Sequence, residues 1–173
     1  MTEARRIAIN KITGVILNNS SINFPFTYNQ LEKIVKDFGG SIKKGKLEKF
    51  TYGMIEVNGE HNFTITYRED EPEEEKLYTI AHELGHYFLH ITDDNGHPKE
   101  KYIDSPLFRR GVSSEEDEAN EFASSLLMPV DVFNNFIDTN KVNNKIDINT
   151  VANHFNVSTT VALNRGKSLG RFL

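Results

Sequence analysis

Residues 77–91 read LYTIAHELGHYFLHI, and the fold follows from how this stretch repeats. Leu77, Ile80, Ala81, Leu84 and Phe88 recur at i, i+3, i+4, i+7 and i+11. That is the apolar stripe of a helix packed on a core. His82 and His86 stand one turn apart on the same helix, so their imidazoles project the same way, with Cβ atoms about 6 Å apart. Two ring nitrogens so placed suit a single zinc ion. Glu83 lies about 100° further round, outside the direct ligands but within reach of a water on the metal. His82 to His86 thus forms H-E-x-x-H, the pattern of zinc-assisted hydrolysis.

The flanking residues set this helix in an α+β frame. On its N-terminal side, Asp70 to Lys76 (DEPEEEK) reads as a helix start, with Pro72 in the first turn and carboxylates that suit the helix dipole. The helix is expected to run to about Ile91. Before it, Tyr52–Val57 and Phe63–Tyr67 are β-rich runs joined by Asn58-Gly59, a hairpin signal. A short strand around Ser41–Lys43 is expected to join them. Thr27 with Gln30 reads as a capping box for a helix carrying Leu31, Ile34, Val35 and Phe38, stopped by Gly39-Gly40. Residues 3–17 are weakly helical in pattern. Residues 92–112 show little periodicity and read as a long loop, a candidate lid beside the histidines.

A zinc site needs a third protein ligand. The extension H-E-x-x-H-x-x-G-x-x-H fails here, because Leu89 and Thr92 occupy its last two positions. His90 reads as a helix-end histidine favoured by the C-terminal dipole, with a supporting place behind the ligands as the alternative. The other scheme takes a glutamate from a second helix. Ser114–Pro129, SEEDEANEFASSLLMP, supplies one, with Ala119, Phe122, Ala123, Leu126 and Leu127 on its buried face. Glu115 and Glu116 both flank that face, Asp117 points away and Glu118 sits at the margin. Periodicity leaves Glu115 and Glu116 as alternatives.

The pair HELGHYFLH, from His82, and E-x-x-A-N-x-F-A-x-x-L-L-M-P, from Glu116, resembles the ImmA/IrrE family of zinc metallopeptidases. The likeness covers about residues 50–165. It implies that His82, His86 and Glu116 hold Zn2+, with Mn2+ as an alternative metal. It implies that Glu83 is the general base and that Asn120, one turn after Glu116, steadies the site by hydrogen bonding. The implied fold is α+β: a small antiparallel sheet or hairpin on a zincin-like active-site helix and a glutamate helix. The implied activity is an endopeptidase cutting a helix-turn-helix repressor or a similar regulatory protein. The alternative is a zinc-binding module that inactivates the repressor by contact alone. Donors for the reacting carbonyl are sought among Tyr87, His90, His97, Tyr102 and Arg109, without a ranking.

Composition narrows the field. The chain has 173 residues and no cysteine, which excludes a disulfide scaffold, a cysteine zinc finger and a thiol nucleophile. Its net charge of −5 disfavours nucleic acid and anionic lipid. No apolar run approaches the roughly 20 residues of a spanning helix, and MTEARRIAINKITGVILNN does not read as a signal peptide. A cytoplasmic location is expected. A metallopeptidase domain is assigned to 1–138 and a helical, helix-turn-helix-like extension to 139–173. In that extension Ile148, Val151, Ala152 and Phe155 form one face, Asn156-Val157-Ser158 a turn, and Val161 with Leu163 a second helix. Its second helix carries only Arg165 and Lys167 as cations, so DNA contact is not expected and Arg165 reads as a structural ion pair.

Overall fold

The computed structural model describes residues 1–20, 22–49, 51–59, 62–91 and 114–172. Two helices open the chain, α1 (Glu3–Asn18) and α2 (Tyr28–Asp37). The capping box at the start of α2 is present in both directions between Thr27 and Gln30. Three strands follow: β1 (Gly40–Gly45), β2 (Gly53–Val57) and β3 (Phe63–Arg68), in the order β1-β3-β2. The expected hairpin is antiparallel, with Ile55 opposite Ile65 and Val57 opposite Phe63. β1 instead pairs with β3 in parallel, which makes the sheet mixed. The hairpin leaves two free edges, and β1 takes the one beside β3, so that β3 is the central strand.

Ile55, Val57, Phe63 and Ile65 are fully buried and form one apolar layer with Leu77, Ile80, Ala81 and Leu84 of α3 (Glu73–His86). Glu73, Glu74 and Glu75 occupy its first turn, as the dipole favours. The helix continues to Ile91, but its last five residues, Tyr87–Ile91, widen into a π-helical turn. Such turns are frequent at functional sites, and the sequence pattern does not distinguish them from α-helix.

α4 (Ser114–Leu127) lies across α3. Their approach depends on Gly85. A Cβ there would sit 3.0 Å from the Ala119 Cα and 3.1 Å from the Ala119 carbonyl oxygen, both rigid backbone atoms. The remaining helices are α5 (Val130–Asn140), α6 (Ile148–Phe155) and α7 (Thr159–Ser168). Asn156 adopts the left-handed conformation and Ser158 caps α7, so the expected turn between the last two helices forms.

The structural ion pair expected of Arg165 forms, on the buried face of α7. Leu163 is 38% exposed, while Ala162, Arg165 and Gly166 are buried. Arg165 takes the inward position because its partners lie there. Its guanidinium donates to Glu121 Oε1 at 2.8 Å, to the Met128 carbonyl at 3.0 Å and to Asn10 Oδ1 at 3.0 Å. One buried cation thus ties α7 to α4 and α1. Removing it leaves Glu121 a buried charge stripped of its strongest partner. We expect Arg165→Met to cost about 3–5 kcal/mol, measured by urea denaturation; a loss below about 1 kcal/mol would show that the pair does not hold the tail.

Candidate metal centre and its cleft

The last turns of α3 and the start of α4 meet where Gly85 lets them close. His82 and His86 project their Nε2 atoms toward each other, 3.0 Å apart. Glu116 completes a triangle, with Oε2 3.4 Å from His82 Nε2 and Oε1 3.3 Å from His86 Nε2. Donor atoms around a tetrahedral zinc with bonds of about 2.0–2.1 Å stand about 3.3 Å from one another. The triangle therefore has the size and the nitrogen–oxygen chemistry that zinc takes. Of the two glutamates left open by periodicity, Glu116 reaches the histidines and Glu115 is exposed.

The outward ring nitrogens are also held. His82 Nδ1 lies 3.0 Å from Asn120 Oδ1, which accepts a second hydrogen bond from the Tyr78 hydroxyl at 3.0 Å. Burial pushes the Tyr78 phenol up to about 12, so it remains a donor. His86 Nδ1 lies 3.0 Å from His90 Nδ1, and His90 Nε2 lies 3.3 Å from Glu118 Oε2. Arg5 of α1 donates to the same Glu118 oxygen at 2.6 Å.

One tautomer assignment satisfies the whole chain when both ligand Nε2 atoms are kept free for metal. His86 Nδ1–H donates to His90, and His90 Nε2–H donates to Glu118. Burial lowers the His90 pKa against the opposing pull of Glu118, which favours the neutral ring that this assignment needs. Arg5 holds Glu118 below the usual carboxylate range. The helix-end reading of His90 is thereby corrected. It stands behind His86, because the side chains of Tyr78, His82, His86 and His90 fall every fourth residue on one face.

Glu83 is 1% exposed and faces β2. Gly53 makes room for it: a Cβ there would lie 2.7 Å from Glu83 Oε1 and 2.5 Å from Thr79 Cγ2. Next to Glu83 a cleft of about 230 Å³ runs along α3 from His82 and Glu83 to Glu75 and Glu71, flanked by Tyr52 and Tyr78. The sequence reading missed Tyr52, Gly53 and Glu71. They come from a strand start and a turn, where helical periodicity has no hold. Tyr78 was missed too, although its place one turn before His82 carried the signal. Among the expected carbonyl donors, Tyr87 is buried against the Phe63 ring and His90 is engaged behind His86. His97, Tyr102 and Arg109, with the 92–112 loop, lie outside the described residues.

The family model of the IrrE N-terminal-like domain, Peptidase M78, matches residues 35–167. The chain belongs to this metallopeptidase family. A solved structure of a Mycobacterium tuberculosis transcriptional regulator superposes with a TM-score of 0.67 at 14% identity, over 92% of this chain and 46% of that one. At that identity the likeness is one of fold, and the chain spans about half the length of that regulator. No curated protein matches significantly. No helix among the described residues is long and apolar enough to cross a membrane.

Two outcomes follow from this geometry. Asn120→Ala and Glu118→Ala should each weaken zinc binding by about 10–100-fold, read by competition with a chromogenic chelator, with the circular dichroism spectrum unchanged. Burial also pushes the Glu71 carboxyl up to about 6. A raised acid binds its proton more tightly in the folded state, so its penalty grows as pH rises from about 4.5 to 6. Glu71→Gln should therefore raise the Tm at pH 7.5, and the gain should fade toward pH 4.5.

Proposed function

We propose that the chain is a zinc-dependent endopeptidase that cuts a helix-turn-helix transcriptional repressor or a similar regulatory protein. The observation that carries the hydrolytic part is the triangle of His82, His86 and Glu116 with Glu83 beside it and an open cleft in front. A zinc ion held by His82, His86 and Glu116 would supply Lewis acidity towards a peptide carbonyl and a water at neutral pH. Glu83 accepts the proton of the attacking water and delivers it to the leaving amine nitrogen. Its burial against Gly53 fixes it in place, and the outward ring nitrogens of His82 and His86 are held by Asn120 and His90.

A polypeptide substrate is supported by the sheet. β2 is an edge strand in the order β1-β3-β2 and begins at Gly53, next to Glu83. An extended peptide that adds to this edge by backbone pairing is led towards the carboxylate. The repressor as substrate rests on the family resemblance, and the regulator of similar fold is named for transcriptional control. His82, Glu83, His86 and Glu116 all lie among the described residues, so the reaction is tested on this chain directly.

The test mixes the zinc-loaded protein with a purified helix-turn-helix repressor encoded beside its gene and reads products by intact mass. One discrete cut is expected, lost on chelation. Glu83→Gln should retain zinc and lose turnover by at least about a hundredfold, the lower end of what a positioned acid–base group supplies. Full activity in that variant sinks the mechanism. A tight complex without a cut favours the module that inactivates by contact.

A further inference from the structure

Glu71 is a buried carboxylate in the cleft that makes no ion pair among the described residues, with Arg68 acting on it only through space. It is 6% exposed. One oxygen accepts from the Thr79 hydroxyl at 3.3 Å, and no ion pair among the described residues reaches it. Arg68 is engaged elsewhere, with Nε 2.8 Å from Asp70 Oδ1 and its guanidinium over the Tyr52 ring at 4.7 Å. A carboxylate taken out of water without a counter-charge is costly. Glu75, half-buried on the first turn of α3, adds a second negative charge to the same cleft. The rings of Tyr52 and Tyr78 line it, and aromatic faces attract cations.

We propose that this cleft is the subsite for a positively charged side chain, arginine or lysine, of the peptide presented to the metal centre. The inference rests on the endopeptidase reading and gives that reading a substrate preference. The missing counter-ion of Glu71 is then supplied by the substrate. The same cationic chemistry could come from a peptide's free α-amine, but the distances favour a side chain. Glu75 and His82 are seven residues apart on one helix, about 10 Å along its axis. An α-amine lies only about 2.5 Å from its own carbonyl carbon, too close to reach from the metal to the acids, whereas the long stem of arginine or lysine spans that gap. A guanidinium also stacks on aromatic faces as it pairs with a carboxylate.

The test uses the zinc-loaded protein and three hydroxamates, which anchor on the metal, with affinities measured by titration calorimetry. The probes are Nα-acetyl-arginine hydroxamate, Nα-acetyl-norleucine hydroxamate and norleucine hydroxamate with its amine free. The arginine compound should bind about tenfold or more tighter than the acetylated norleucine compound. That advantage should vanish in Glu71→Gln and shrink in Glu75→Gln, while the norleucine compounds bind both variants as they bind the wild type. Circular dichroism checks that each variant is folded, and Glu75→Gln, on the more exposed wall, carries the test if Glu71→Gln does not fold. Equal affinities for arginine and acetylated norleucine overturn the subsite and leave the zinc reading standing. A preference for the free-amine compound, lost in Glu71→Gln, overturns it in favour of a peptide N-terminus. Failure of all three to bind overturns the metal reading and the subsite together.

Discussion

The structure depends on the close approach of α3 and α4 at Gly85. That glycine sits between the two histidines, and a side chain there would strike the backbone of Ala119. Closing the helices at this point brings Glu116, one turn before Asn120, to the two imidazoles. A wider spacing would leave the carboxylate too far away to complete a triangle of about 3.3 Å edges. The packing distance between two helices and the size of a metal site are here one quantity.

α4 serves three neighbours at once. Glu116 and Asn120, four residues apart, face α3 and hold His82 between them from its two sides. Glu118 joins the π-helical turn to α1 through His90 and Arg5. Glu121 receives Arg165 from α7 and Asn10 from α1. Glu118 and Glu121 are answered by the cations Arg5 and Arg165, so these two acids are held without uncompensated repulsion. The arrangement also links the ligand shell to both ends of the chain, since Arg5 and Arg165 lie near its two termini.

Glu71 breaks that pattern. It is buried and raised to about 6, and among the described residues its carboxylate has a hydrogen bond from Thr79 but no ion pair. A carboxylate held out of water without an ion pair is costly, and such costs gather where function needs them. Glu118 and Glu121 are paired within the fold, whereas Glu71 lines the cleft with only the Thr79 hydroxyl bonded to its carboxylate among the described residues.

Local signals in the sequence determined a good part of this protein. The apolar stripe of residues 77–88, the capping box at Thr27 and Gln30, the hairpin at Asn58-Gly59 and the turn at Asn156–Ser158 all rest on interactions within a few residues, and each formed. The histidine pair was legible for the same reason, because four residues make one helical turn. The tertiary structure decided what depends on separate segments meeting. It selected Glu116 over Glu115, turned His90 toward His86, set β1 parallel to β3 and pointed Arg165 inward while leaving Leu163 exposed. It also placed Glu71 and Tyr52 in the cleft, since a turn and a strand start carry no periodicity that reveals which distant helix they will face.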